Sequence, residues 1–444
     1  MKTETIEIEG LAYGGDGVGH LADGRVAFVA GAFPGDTVRA CLTEDRGRFA
    51  RGHVGEVLSG ADARVTPPCK LAATQACGGC PWACLSYESQ LRWKRQSLVD
   101  ALMRIAGLEA AFVEESVPAC RPSKRQWNYR NKVEFEAGLD VAGRFTLGMH
   151  ARGGSFVPLA SCQLCSKKLE KAPRALTGAL RYAAGKADLG IERVGLRYSE
   201  RTGSAEVALW GSPGRFPRAN VAKVLPDALP LKRIGVTRVL LKGTAKERKV
   251  SGTEVLAGRG FWTERLGEHS MALSAPSFFQ VNTPGAETLV ELVLEALEVD
   301  GLDSVLDLYS GAGTFTLPLA ERAQSVAAVE MAGSSVRDLR RNLEHEGLFA
   351  DVIGGDVGRE LKSLGTVDKV VVDPPRSGLG ETAVRGLVGC APRAMAYVSC
   401  NPTTLARDAK ALAASGYRLR KATPVDLFPQ TYHVETVALF EREG

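Results

Sequence analysis

Residues 304–315, SVLDLYSGAGTF, read as a short apolar strand carrying an acid, Asp307, that runs into a turn with two glycines, Gly311 and Gly313, before a helical pattern begins. Glycines at such a turn let the backbone approach a ligand, and an acid near the strand end can orient the turn. The next strand, SVAAVE, ends in Glu330, nineteen residues after Gly311, where a carboxylate can accept both hydroxyls of a ribose. Asp356 closes a third strand, ADVIGGD, and Asp373 closes a fourth, KVVVDPP. Any one of these acids could simply cap a helix. Four at successive strand ends of one sheet instead mark the edge at which open α/β sheets bind ligands. Over residues 270–444 apolar strands alternate with longer helical patterns, so the fold class expected there is α/β, with a Rossmann-like, mostly parallel sheet.

A dinucleotide site wants a third Gly or Ala for close helix packing, and Thr316 stands in that place. S-adenosylmethionine has no pyrophosphate and does not need it. Asp356 is then placed to accept from the adenine amino group.

Upstream, residues 1–60 alternate short strands (TIEIEG, GRVAFVA, DTVRACL, RGHVGEVL) with glycine-rich turns, the pattern of a small all-β barrel. ADARVTPPC reads as a linker, and residues 61–269 hold a cysteine segment followed by strand-like stretches expected to form an antiparallel central domain. Between them, residues 88–107 space Leu91, Leu98, Leu102 and Ile105 at helical intervals, with Gly107 as the stop; this basic amphipathic helix can pack on the catalytic domain. The net charge of +5 hides an asymmetry, −3 over residues 1–60, +15 over 61–270 and −7 over 271–444, so a polyanion would sit against the middle. Basic clusters with aromatics, Arg92-Trp93-Lys94-Arg95 and Lys124 to Lys132, suit single-stranded nucleic acid, and either is equally an ordinary solvated face.

The 444 residues exceed one domain, and 45% hydrophobic with 24% charged residues is an ordinary globular composition that excludes a disordered or collagen-like chain. No stretch approaches the roughly 18 apolar residues of a membrane span. MKTETIEIEG lacks the basic-then-apolar layout of a signal peptide, so a cytoplasmic location, no membrane partner and a monomer are expected. In that compartment ten cysteines do not suggest a disulfide framework. Cys69, Cys77, Cys80 and Cys84 lie close together, and Cys162 and Cys165 form a second pair, which points to a metal or an iron-sulfur cluster.

AMAYVSCNP puts Cys400 at the end of another strand, on a turn forced by Asn401-Pro402 and at the same edge as the acids. Buried structural cysteine is the default, and Cys390 stays in that class. Beside a methyl donor, a thiol at the edge has a specific use. Carbon 5 of a pyrimidine is too weak a nucleophile to take a methyl group from a sulfonium, but thiolate addition at carbon 6 makes an enolate reactive at carbon 5. The carbon 5 proton must afterwards be removed, and Glu435 in TYHVETVALF is the expected base, with His433 its competitor.

FFQVN (Phe278 to Asn282), DLYSGAGTF (Asp307 to Phe315), DPPR (Asp373 to Arg376), SCNP (Ser399 to Pro402) and HVET (His433 to Thr436) occur in that order. Together they resemble the TrmA/RumA family of S-adenosylmethionine-dependent RNA uracil-C5 methyltransferases, and the N-terminal strands resemble the TRAM domain of many members. The resemblance implies a class I methyltransferase domain, Cys400 as nucleophile, Glu435 as base, and Gln280, Tyr309, Thr314, Glu330, Asp356 and Asp373 as donor contacts. Tyr309 stands where the family more often has Phe, and Thr314 where it often has Asn. The resemblance also implies a 4Fe-4S cluster on Cys69, Cys77, Cys80 and Cys162, although seven residues separate the first two where the family has five. Zinc on Cys77, Cys80, Cys162 and Cys165, with Cys84 spare, is the alternative that thiolate count alone leaves open. The RNA implied is large-subunit rRNA, with tRNA as the alternative. Two further readings are a non-catalytic RNA-binding protein with a degenerate core and a DNA cytosine-C5 methyltransferase; the latter carries its nucleophile in a Pro-Cys motif after an earlier strand.

Overall fold

The computed structural model describes residues 2–185, 187–232, 234–244 and 247–443. Burial alternates along Lys2–Leu11, Val26–Ala30 and the start of Thr37–Asp45, so each strand has one apolar face to bury. With Gly17–His20 and Phe49–Ser59 these strands close into a five-stranded barrel around Ile6, Ile8, Val29 and Val38. Closure leaves no free edge.

The central region is a seven-stranded sheet in the order Lys249–Ala257, Ile234–Lys242, Ala205–Gly211, Ile191–Tyr198, Lys132–Leu139, Phe145–His150 and Phe156–Pro158. One correction to the expected antiparallel arrangement follows from its pairing: Ala205–Gly211 and Ile234–Lys242 run parallel. A parallel pair needs a crossover, and the helix Arg218–Val224 lies in that connection. The hairpin Phe261–Leu266 with His269–Ser274 straddles the expected boundary at residue 269. Its second strand is tied to the helix Gly333–Glu346, Ser274 N donating to Asp338 Oδ2 and Ala272 N to Asn342 Oδ1, both at 2.8 Å. The hairpin thus packs with the C-terminal sheet.

That sheet runs Asp351–Gly354, Ser325–Glu330, Ser304–Leu308, Lys369–Val372, Ala394–Ser399, Glu435–Arg442 and Tyr417–Val425 from edge to edge. The first five are parallel, and Glu435–Arg442 runs antiparallel to both of its neighbours. Parallel strands end together, so their loops gather at one edge.

The helix expected over 88–107 is an α-helix over Tyr87–Ala101 that continues as a π turn, Leu102–Ala106, and stops at Gly107 with φ 74°. Leu98 and Leu102 pack with Tyr397 and Leu405 of the C-terminal sheet and its helices, while the wider π turn leaves Ile105 exposed. Its basic cluster is largely consumed by ion pairs. Lys94 is fully buried against Asp426 at 2.5 Å, and Arg95 pairs with Glu114 at 2.6 Å, leaving Arg92 to solvent. Among the described residues no helix is long and apolar enough to cross a membrane.

Candidate active site

Ser399 pairs with Thr436 across the antiparallel strands. The ladder ends at that pair; Cys400 follows Ser399 and Glu435 precedes Thr436, so the two come to the same edge, where the charge of Glu435 acts on the Cys400 thiol. Asn401 fixes the turn after Cys400: its Oδ1 caps the helix Pro402–Ala413 by accepting from Thr403 N at 3.0 Å, and its Nδ2 donates to Arg376 O at 3.2 Å. The DPPR loop is thereby held against the cysteine. Asp373 N donates to Leu308 O at 3.2 Å, so this acid starts where the Ser304–Leu308 strand ends.

The edge is buried and rich in acids. Burial pushes the Glu435 carboxyl well above its ordinary range; the charge of Asp373 adds to this and Arg376 opposes it. Burial lifts Asp373 to about 7 against a side-chain hydrogen bond with Gln280. The Cys400 thiol is pushed up to about 11, first by burial, then by the charges of Glu435 and Asp373, with Arg376 opposing. In this state the cysteine is a thiol at neutral pH, and a cation entering the cleft would favour the charged forms of all three groups. His433 is pushed down to about 4 by burial, with Arg376, Lys94 and Arg130 adding to the effect. Its ring lies 4.3 Å from that of Tyr432, and it lines a cavity formed by the cysteine segment. Glu435, rather than His433, comes to the edge with Cys400.

The turn read first in the sequence forms the neighbouring cradle. Tyr309 ends its strand in the left-handed region with φ 61°, and Gly311 N then donates to Glu330 Oε2 at 2.9 Å while Ala332 N donates to Oε1 at 2.6 Å. Glu330 is pinned by backbone but keeps lone pairs for ribose hydroxyls. Thr316, the departure from the dinucleotide pattern, donates to buried Asp307 at 2.5 Å; burial lifts that acid to about 7, and its second oxygen has no partner. Gly313 has φ 106°, and a Cβ there would lie 2.2 Å from Leu317 Cδ1, so the turn admits no side chain at that point. Asp356 caps the helix Val357–Glu360, accepting from Arg359 N at 3.2 Å, and its charge, after burial, helps to lift the nearby Tyr309 phenol to about 12. Thr314 lies half-buried in the glycine turn and Gln280 is buried beside Asp373. All eight expected catalytic and donor residues therefore lie around one strand edge. Sequence reasoning missed the electrostatic role of Arg376, whose only signal was its place in DPPR.

Cys69, Cys77, Cys80 and Cys162 line one cavity of about 360 Å³, together with Arg130, Tyr432 and His433. The turn Cys77-Gly78-Gly79-Cys80 lies against the sheet, where a Cβ on Gly78 would come within 2.7 Å of His150 O. Cys84 is elsewhere, packed with Leu11, Phe33 and Trp82, and Cys165 lies in the core of the central sheet. Cys165 does not line the cavity, but its thiol is hydrogen-bonded to that of Cys162, which does. Among the described residues no three Cys, His, Asp or Glu side chains are gathered to hold a single metal ion. This segment also props the loop before Glu435: Trp82 N donates to Gln430 O at 3.0 Å, and Tyr129 Oη to Pro429 O at 3.2 Å.

A tRNA (uracil-5-)-methyltransferase family profile matches residues 262–350 and 358–443, and a TRAM domain profile matches residues 1–54. An uncharacterized RNA methyltransferase of Gloeobacter violaceus is 35% identical over 452 residues, covering 99% of this chain and 97% of its own. The chain belongs to this methyltransferase family. A second uncharacterized RNA methyltransferase, from Chlorobaculum tepidum, is 34% identical over 96% of the chain and 93% of its own length. Among solved structures, the tRNA (uracil-54, C5)-methyltransferase of Pyrococcus abyssi, in complex with S-adenosyl-L-homocysteine, superposes with a TM-score of 0.76 at 25% identity and covers 98% of this chain and 99% of that one. The methyltransferase is thus an S-adenosylmethionine-dependent enzyme acting on uracil in RNA, with a TRAM barrel ahead of its catalytic sheet.

Proposed function

We propose that this methyltransferase forms 5-methyluridine through a covalent adduct between Cys400 and carbon 6 of the target uracil. The observation that carries this reading is the strand register that brings Cys400 and Glu435 to the edge occupied by the donor cradle. With the sulfonium in the cleft, Cys400 and Glu435 release their protons to solvent; the thiolate adds to carbon 6, and the resulting enolate takes the methyl group from the sulfonium at carbon 5, leaving S-adenosylhomocysteine. Glu435, ionised, then removes the carbon 5 proton, and the electron pair of that bond expels the thiolate. A uracil within a stack exposes neither carbon to such a site, so the base must be flipped or single-stranded. Exposed Lys124 and Arg125 are suited to hold the adjoining backbone.

The target we favour is a uridine of large-subunit rRNA, on the resemblance set out above. Transfer RNA is the second reading, supported by two observations: the matching family is described as tRNA (uracil-5-)-methyltransferase, and the Pyrococcus abyssi protein that matches nearly the whole chain is a tRNA (uracil-54, C5)-methyltransferase. We further assign the cavity ringed by Cys69, Cys77, Cys80 and Cys162 to a 4Fe-4S cluster with a structural role, propping the loop that leads to Glu435. Incubation with labelled donor and separated rRNA and tRNA tests the substrate. Label in rRNA as 5-methyluridine supports the first reading, label in tRNA alone supports the second, and no label in either contradicts both. Cys80→Ala should cost folding or RNA affinity more than the chemical step; intact folding with full iron content contradicts the cluster assignment.

A further inference from the structure

The first loop of the barrel, between the strands Lys2–Leu11 and Gly17–His20, does not stay with the barrel. It is a tight turn, Ala12 N donating to Asp16 O and Gly15 N to Ala12 O, both at 2.9 Å. Three parts of the chain hold it from outside. Trp82 Nε1 of the cysteine segment donates to Gly15 O at 3.3 Å. Arg152, on a loop of the central sheet, donates to Gly14 O at 3.3 Å and to Asp16 at 2.8 Å. Tyr432 packs so closely that a Cβ on Gly15 would lie 2.8 Å from its ring, at a φ of +89° that already favours glycine. The loop thereby delivers Tyr13 to the catalytic edge, where its hydroxyl donates to the carbonyl oxygen of Cys400 at 3.2 Å and its ring meets Tyr432 edge-on at 5.9 Å.

We propose that Tyr13 is a positioning residue for methyl transfer, its hydroxyl fixing the Cys400 carbonyl and with it the turn that aims the thiol at carbon 6. This rests on the reading of Cys400 as nucleophile. The same turn is also braced by Ser399, whose Oγ accepts from Asn401 N at 3.2 Å and donates to Asn401 O at 3.1 Å, and by the Asn401 side chain, which bonds to Arg376 O and caps the following helix. Without Tyr13 the peptide between Cys400 and Asn401 keeps only the bond from its N–H to Ser399 Oγ and can tilt about it, and a misplacement of about 1 Å at a reacting atom costs up to about 100-fold in rate. Burial holds the phenol protonated well above its ordinary range, so it remains a donor throughout the working pH range. The barrel is therefore part of the catalytic unit.

Tyr13→Phe keeps the ring against Tyr432 and removes only the hydroxyl. It should lower kcat about 5- to 50-fold, slow adduct formation on 5-fluorouridine RNA by the same factor, and leave the KM for RNA and for donor within twofold. Arg152→Ala, which loosens the loop without touching the edge, should reproduce part of the kcat loss. Melting temperature and circular dichroism of both variants establish that they fold. A Tyr13→Phe enzyme with wild-type kcat overturns the proposal, and so does one whose only defect is a raised KM for RNA, since that marks a substrate contact. Cys400→Ala is run alongside: an adduct that survives that substitution removes the nucleophile reading itself, a failure separate from that of Tyr13.

Discussion

Glu435→Gln keeps the size and shape of a buried side chain and removes its capacity to accept a proton. General bases contribute about 10²- to 10⁴-fold, which at 1.36 kcal/mol per tenfold amounts to about 3–5 kcal/mol of barrier. The loss should fall on one half of the reaction. The charge of Glu435 is the second cause, after burial, that holds the Cys400 thiol up at about 11, so the neutral amide eases thiolate formation. Thiol addition and methyl transfer should proceed at least as fast as in the wild type, and release should stall. A quench-flow assay with labelled donor should show a burst of one methyl group per enzyme, followed by turnover reduced about 10²-fold or more, with the label on protein-linked RNA. Stability should move in the opposite direction. The folded state raises the Glu435 carboxyl well above its ordinary value, so its proton is bound more tightly folded than unfolded. Stability from this group is present below the unfolded value, about 4.3, and is lost as pH rises towards the folded one. The glutamine variant escapes that loss and should melt at a higher temperature than the wild type at neutral pH, and at an equal temperature near pH 4. Turnover within threefold of the wild type, or a dead enzyme that gives no burst, would refute this role.

Two other outcomes follow from the same geometry. Asp307 and Asp373 are both lifted to about 7 by burial, so negative charge builds up at the donor edge as pH passes that value; the affinity for S-adenosylmethionine, measured calorimetrically, should rise several-fold between about pH 6 and 8, while that for S-adenosylhomocysteine, which lacks the sulfonium charge, changes less. Equal changes for the two ligands would contradict the placement of the sulfonium. Lys94→Met leaves Asp426 buried without its partner and should cost about 3–5 kcal/mol in urea denaturation, and a loss below 1 kcal/mol would show that the pair is hydrated in solution.

The catalytic edge was legible because its logic is local. Parallel strands end together, so Asp307, Glu330, Asp356, Asp373 and Cys400 could be placed on one edge from strand endings alone. The need for a base beside Cys400 pointed to Glu435 with His433 as competitor, and only the antiparallel insertion of the last strand beside Ala394–Ser399 separates the two. Charge was read less well. Lys94 and Arg95 looked like an RNA face in the sequence, but their partners Asp426 and Glu114 lie far along the chain or on another helix. The cysteines divide in the same way: Cys84 has the right spacing, and only packing sets it apart with Leu11 and Trp82, while Cys165 stays bonded to Cys162 without lining the cavity of Cys69, Cys77, Cys80 and Cys162. Tyr13 carried no signal at all, because a loop reaching 387 residues along the chain has no counterpart in periodicity.

The covalent route is tested most directly by mass spectrometry of the enzyme incubated with S-adenosylmethionine and RNA carrying 5-fluorouridine, whose fluorine cannot leave as a proton does. The expected result is a methylated protein–RNA adduct on Cys400, absent from Cys400→Ala. Methyl transfer to normal RNA that continues in Cys400→Ala, with no adduct on the fluorinated RNA, would contradict it.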